Sequence, residues 1–318
     1  MYTNWTRSAL QAVIEHEGLT GGTVMLPAFI CQDSFLPLFD RCEITPVFVD
    51  IRLPSYHMSL EGARERIDEV DAVLFVHSFG LPAEMAEWVE LANEHGVTLI
   101  EDCARALSAR TGGDPVGSAG TYAVYSLKKV APVSKGAVLV LPEGDEAPSL
   151  ERATYDVDAW YNLFPESVRE LLSVVYPLDV EKRHLDAVTR GTFERYAARQ
   201  YREDEADRRT KAERLREALE PLGFEFQPQR VGRVYPLVPA MAPDRDALAH
   251  FLNSYHVPHK TLWANPWGKT YAGDEFEERF PNSAALADSV LQFDIQNMDD
   301  EDVEFAIDRV GEFVEKFG

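Results

Sequence analysis

Short apolar runs alternate with amphipathic stretches over the first 140 residues, and this alternation narrows the possible folds more than any other feature. Thr6 to His16 reads as a helix with Ala9, Leu10, Val13 and Ile14 on one face, and Thr23 to Leu26 as a strand ending at Pro27. A helix from Gln32 to Phe39 precedes a strand at Thr45 to Val49. Helices at Leu60 to Ile67 and Glu84 to His95 precede strands at Ala72 to Val76 and Val97 to Ile100. Two further apolar runs, Ala123 to Tyr125 and Gly136 to Val140, read as buried strands. Such alternation predicts an α/β fold, a mainly parallel central sheet flanked by helices. Ligands bind at the carboxyl ends of strands in these sheets. Pro27, Asp50, His77, Asp102 and Ser126 all fall at such ends.

Beyond residue 150 the pattern changes. From Leu150 to about Arg202 it is mostly helical and polar, and reads as a connecting region belonging to a large domain, 1–202. A charged helix (Arg208 to Leu219), strand-like pieces at Phe224 to Phe226 and Arg233 to Val238, and helices at Arg245 to Tyr255 and Asp299 to Phe317 predict a smaller C-terminal α+β domain, 203–318. The chain has no apolar run of 18 residues and no signal-peptide pattern at its start, so a cytoplasmic protein with no membrane partner is expected. A net charge of −23 repels nucleic acid and anionic membrane. Dispersed acids suggest a surface suited to a salt-rich cytoplasm. Cys31, Cys42 and Cys103 have neither disulfide-framework nor zinc spacing, and no metal site is expected.

With only 8 lysines against 23 arginines, the adjacent pair Lys128 and Lys129 after the strand Ala123-Val124-Tyr125 is conspicuous. Asp102 ends a neighbouring strand. An amine and a carboxylate on adjacent strand ends are what pyridoxal phosphate requires: the lysine as Schiff-base former, the acid as partner of the pyridinium nitrogen. Taken singly, a lysine is usually a solvated surface residue and an aspartate a helix cap. On an extended segment only one lysine of the pair faces inward, and periodicity does not choose between them. Thr6-Arg7-Ser8 opens the first helix, where free backbone N–H groups suit a phosphate, although any Ser or Thr there also serves as an ordinary cap. Ser126 is a further phosphate candidate or a plain loop serine. His77 is equally a substrate residue or a structural one. Trp263 and Trp267 line a cleft or simply pack.

These segments, in order, resemble the DegT/DnrJ/StrS family of fold-type-I, pyridoxal-phosphate-dependent sugar aminotransferases. Thr6-Arg7-Ser8-Ala9-Leu10 is similar to the family's phosphate-cup turn, and Val24 to Phe29 to its V-x-x-P-A-Y/F strand end. Thr45 to Asp50 resembles x-P-V-F-V-D, His77 to Pro82 the H-x-x-G-x-P turn, Ile100 to Ala104 the I-E-D-A/C-A segment, Val116 to Gly120 V-G-S-x-G, and Tyr125 to Leu127 F-S-F/L. The resemblance implies Lys129 as the Schiff-base residue, seven positions before Gly136, with Asp102 on the ring nitrogen and Ser126, Thr6, Arg7 and Ser8 around the phosphate. It implies a homodimer that moves an amino group from an amino donor, glutamate in the family, to a keto sugar nucleotide for polysaccharide biosynthesis. Arg105 stands where the family has Gln or His, and is expected near the cofactor's phosphate or 3-oxygen. Cys31 replaces the usual ring-stacking aromatic, with Phe29 the expected substitute. His77 and Trp263 are the expected substrate residues. The alternatives are a non-catalytic homologue that binds a sugar nucleotide or a protein, and a pyridoxal-phosphate enzyme of another reaction type. A dehydratase of this kind has histidine in place of the lysine, which the lysine at 129 opposes.

Overall fold

The computed structural model describes residues 1–146, 148 and 185–318. Seven strands form the main sheet: β1 (Tyr2–Thr3), β2 (Thr23–Pro27), β3 (Thr45–Val49), β4 (Ala72–Val76), β5 (Thr98–Asp102), β6 (Tyr122–Ser126) and β7 (Ala137–Val140). Their order is β1-β7-β6-β5-β4-β2-β3. The strands from β6 to β3 run parallel; β7 is antiparallel to β6, and β1 antiparallel to β7. Thus six of the seven strands point their carboxyl ends the same way. The strands are rich in Val, Leu, Ile and Phe because both faces are covered. On one face α1 (Thr6–His16) and α2 (Gln32–Arg41) share a core with Leu26, Phe48, Leu74 and Val124. On the other, α3 (Leu60–Arg66) and α4 (Ala86–His95) pack with Met25, Val73, Phe75 and Leu99.

Two long helices, α5 (Ala187–Arg199) and α6 (Tyr201–Leu219), lead to a second sheet. It is built from β8 (Glu225–Phe226), β9 (Val238–Met241), β10 (His259–Lys260) and β11 (Val290–Phe293) in the order β8-β9-β11-β10. α7 (Arg245–Ser254) and the C-terminal α10 (Asp300–Phe317) cover it through Leu248, Leu252, Val303 and Val310. Between β10 and β11 lie α8 (Trp267–Ala272) and α9 (Pro281–Ser289). Their Trp267 and Leu286, with Phe280 just before α9, join the core of the main sheet, so the late segment knits the two sheets together.

Two expectations change, and a third falls largely outside the described residues. The mostly helical reading of 150–202 lies outside the described residues up to 184. The charged helix begins at Tyr201 rather than Arg208. Arg233 to Leu237 is not a strand, and pairing begins at Val238. There the backbone serves other partners: Val234 N–H donates to Gly80 O at 3.1 Å, and Pro236 has no N–H to give a ladder. Among the described residues no helix is long and apolar enough to cross a membrane.

Candidate active site

Strand register gathers the predicted residues at one edge. Asp102, the last residue of β5, lies level with Val76 on β4 and with Val124 on β6. Two residues after Val124, Ser126 ends β6 opposite Ala137 on β7, and Thr3 of β1 faces Ala137 from the other side. β1 therefore ends level with the end of β6, across β7, and α1 starts three residues later. Gly136 clamps this junction. Its N–H donates to Asn4 O at 2.7 Å and its carbonyl accepts from Leu127 N–H at 2.9 Å. Its φ of +122° suits glycine, and a Cβ there would meet Leu127 Cδ1 at 3.0 Å.

Lys128 and Lys129 lie on a 3₁₀ turn, Leu127–Lys129, not on the extended segment expected. Successive side chains on such a turn diverge by about 120°. Lys128 is exposed, its ammonium 4.4 Å from the Trp5 ring centroid. Lys129 is the inward residue, and its charge acts on Asp102. Burial, then the like charges of Arg105 and Lys128, bring the Lys129 pKa down to about 7. Asp102 is buried, and burial raises its pKa against the pull of the Ala104 N–H, His77, Lys129 and Arg105. Its Oδ1 accepts from Ala104 N–H at 2.8 Å, the local cap that its sequence context also allowed.

At the start of α1, Trp5 offers no side-chain cap and the first turn carries no acid. A helix start of this kind suits an anion. Ser8 is fully buried, and both it and Arg7 already have partners within the protein. Ser126 is buried at the end of β6.

Arg105, on the turn after β5, lies 5.7 Å from the Phe79 ring centroid and 5.6 Å from that of Trp263. Burial lowers its pKa to about 10, opposed by Cys31, Asp102 and Asp294. Phe79 was not singled out from the sequence. It adopts φ 52°, and the neighbouring Gly80 passes so close to the Val234 carbonyl that a Cβ would sit 2.2 Å from its oxygen. Trp263 lies 5.2 Å from Phe79 and 5.5 Å from Phe29. Phe29 is thereby sealed in the core beneath Trp263 and is not open to a cofactor ring, contrary to expectation.

His77 is also corrected. Its side chain is inaccessible; Nε2 donates to Glu101 Oε2 at 2.8 Å, and Nδ1 accepts from Ala83 N–H at 3.3 Å. Glu101 also accepts from the N–H groups of Gly117, Ala119 and Gly120. With both ring nitrogens committed, His77 supports the β5 edge and is unavailable to a substrate. His77, Glu101 and Cys103 place possible ligand atoms within 4.8 Å of one another, but these hydrogen bonds already occupy the carboxylate. Two site residues escaped the sequence reading. Lys260 on β10 pairs with Asp294 at 2.7 Å, and Asp294 follows the apolar run of β11 much as Asp102 follows that of β5. Asp50, another strand-end acid, is structural: it accepts from Asn282 N–H and from the N–H and hydroxyl of Ser283 at the start of α9.

A half-buried amine of lowered pKa, a buried acid and the start of a helix line one strand edge, an arrangement into which pyridoxal phosphate fits. Residues 3–147 match the DegT/DnrJ/EryC1/StrS aminotransferase family. The UDP-N-acetyl-3-dehydro-alpha-D-glucosamine 3-aminotransferase of Acidithiobacillus ferrooxidans is 36% identical over 105 residues, 32% of this chain. The matched stretch spans 28% of that relative's length. A pleiotropic regulatory protein of Geobacillus stearothermophilus is 25% identical over 87% of this chain and 74% of its own. A putative sugar aminotransferase of Streptococcus pneumoniae, solved in its PLP form, superimposes with a TM-score of 0.79 over 99% of this chain and 87% of its own, at 13% identity. The likeness extends the fold-type-I architecture beyond the matched segment to the second sheet.

Proposed function

We propose that the protein is a pyridoxal-phosphate-dependent aminotransferase that carries an amino group from an amino acid, glutamate being the expected donor, to the keto group of a nucleotide-linked sugar. The observation that carries this is the convergence of Lys129 and Asp102 at the ends of neighbouring parallel strands, with the amine drawn toward its neutral form. Further support comes from the family matched by residues 3–147 and from the amino-sugar enzyme among the relatives.

When bound, the cofactor supplies an electron sink for the donor's α-carbon. Asp102 would hold the ring nitrogen protonated, because an ionised acid favours a cation beside it. That same cation reverses the penalty which burial imposes on the Asp102 carboxylate. Thr6, Arg7 and Ser126 would hold the phosphate, with the Ser8 N–H completing the helix start. Lys129, with much of its amine neutral near pH 7, would take the proton from the donor's α-carbon and deliver it two bonds away. The chain is divided into a large domain, 1–202, and a small one, 203–318. It works as a cytoplasmic homodimer with the site at the subunit interface.

The visible spectrum tests this. Cofactor-loaded protein should absorb at about 410–430 nm, the band should bleach on adding glutamate, and Lys129→Ala should abolish it. A second reading, a non-catalytic regulator, is favoured by one observation: the relative aligned over most of the chain is named a regulatory protein. Protein that stays colourless with added pyridoxal phosphate selects that reading.

A further inference from the structure

Arg105 is a cation with no acceptor. Among the described residues it makes no hydrogen bond, only its approaches to the Phe79 and Trp263 rings. The guanidinium is half-buried, and its N–H donors, which match carboxylates and other oxyanions, are left open to a ligand. Its surroundings are built to hold it still. Gln292, fully buried on β11, grips the backbone just before Trp263: its Oε1 accepts from Leu262 N–H at 2.7 Å, and its Nε2 donates to Leu262 O at 3.2 Å. Trp263 itself is held at φ +63°, a conformation that a bulky residue adopts only when its neighbours enforce it.

A second cation stands close by. Lys260 carries enough charge into the cleft to act on Lys129, and it is neutralised by Asp294. Asp294 is itself buried, and its Oδ1 has no hydrogen-bond partner.

We infer that Arg105 is the binding residue for the carboxylate of the amino donor, with Lys260 as auxiliary cation and Asp294 as the counter-ion that holds Lys260 when no donor is present. This rests on the aminotransferase reading. Topology separates this subsite from the phosphate cup. The cup lies past β1 and β6, whereas Arg105 lies past β5 with Phe79 of the β4 turn, across Asp102 from the cup. A planar guanidinium resting against the paired Phe79 and Trp263 rings has a flat edge of paired N–H groups to offer, which matches the two oxygens of a carboxylate better than a tetrahedral phosphate. Position and shape both point to the donor's carboxylate.

The test is calorimetric titration of the cofactor-loaded protein with glutarate, a dicarboxylate lacking the amine, in wild type and in Arg105→Gln, Arg105→Lys and Lys260→Met. The visible band is recorded throughout. We expect glutarate affinity to fall about tenfold or more in Arg105→Gln, by less in Arg105→Lys, and by a few-fold in Lys260→Met, with the band retained. Inorganic phosphate should compete poorly. Arg105→Gln protein that keeps its band and binds glutarate as tightly as wild type overturns the inference and leaves the aminotransferase reading standing. Loss of the band in Arg105→Gln, with circular dichroism unchanged, also overturns it, because Arg105 would then hold the cofactor. Absence of the band in wild type removes the aminotransferase reading, while the calorimetry still reports whether Arg105 binds a carboxylate.

Discussion

The Glu101 network offers the sharpest single perturbation. Glu101 is fully buried, and its two oxygens receive four N–H groups. Oε2 takes His77 Nε2 at 2.8 Å and Gly117 N at 3.0 Å; Oε1 takes Ala119 N at 2.9 Å and Gly120 N at 2.6 Å. Glu101→Gln preserves shape but turns one acceptor into a donor. With the amide nitrogen at Oε1, two backbone N–H groups face it unpaired. With the nitrogen at Oε2, Gly117 is orphaned and His77 must accept at Nε2 while Ala83 N–H already points at Nδ1. At roughly 1–3 kcal/mol for each stranded buried donor, the substitution should cost about 2–5 kcal/mol. In a chain of this size each kcal/mol lowers Tm by about 2–4 °C, so a fall of about 5–15 °C is expected. Acid sensitivity gives an independent check. Burial pushes the Glu101 pKa up, but His77 and the Gly120 and Ala119 N–H groups outweigh it and leave it lowered. Its contribution is therefore full above the unfolded carboxyl value, about 4.3, and is lost as pH falls through the lower folded value. Urea unfolding of wild type and Glu101→Gln at pH 7 and below pH 4 should show the gap between them closing in acid. A Glu101→Gln protein within about 0.5 kcal/mol of wild type at pH 7 would refute the network's structural role.

Lys129→Met should stabilise the cofactor-free protein at pH 7 by up to about 4 kcal/mol. The folded pKa near 7 lies below the unfolded value, so the half-buried ammonium opposes folding most at low pH, and wild-type stability should climb between about pH 7 and 10; unfolding across that range in both proteins checks it. Asp50→Ala should lower unfolding free energy by about 2–3 kcal/mol in urea titration, because it removes the acceptor shared by the first N–H groups of α9 and the Ser283 hydroxyl.

Much of the main sheet was legible because its strands are short apolar runs bounded by turn residues. Thr45–Val49 and Ala72–Val76 were placed to the residue on that pattern alone. What the sequence withheld has common causes. Period-two reasoning stayed silent between Lys128 and Lys129, since the segment is a 3₁₀ turn whose geometry depends on the Gly136 clamp. His77 and Asp50 stand at strand ends like true ligand residues, but their partners, Glu101 and Ser283, are 24 and 233 positions away. Arg105 was noticed as a departure from the family pattern, yet its isolation from any acceptor is a property of its folded neighbours, Phe79 and Trp263. The segment between Trp263 and Phe293, rich in aromatics, yielded little because its apolar residues serve two cores at once.

The site and the surface have opposite charge, and this sets how anionic substrates arrive. The chain as a whole carries −23, while Lys128, Lys129, Arg105 and Lys260 gather around the cleft. At an ionic strength of about 0.1 M the screening length is about 10 Å, so a carboxylate or nucleotide still feels the net repulsion of the molecule on approach. At about 1 M it shrinks to about 3 Å, which cancels that repulsion but leaves contacts inside the cleft largely intact. Association of glutarate, followed by stopped flow, should therefore accelerate as salt rises over this range, with a much smaller change in dissociation. The same screening relieves repulsion within the folded chain, so unfolding free energy should rise with added salt. An association rate that falls with salt, together with stability greatest near 0.1 M, would show that the local cations dominate the field and that the acidic surface has no such role.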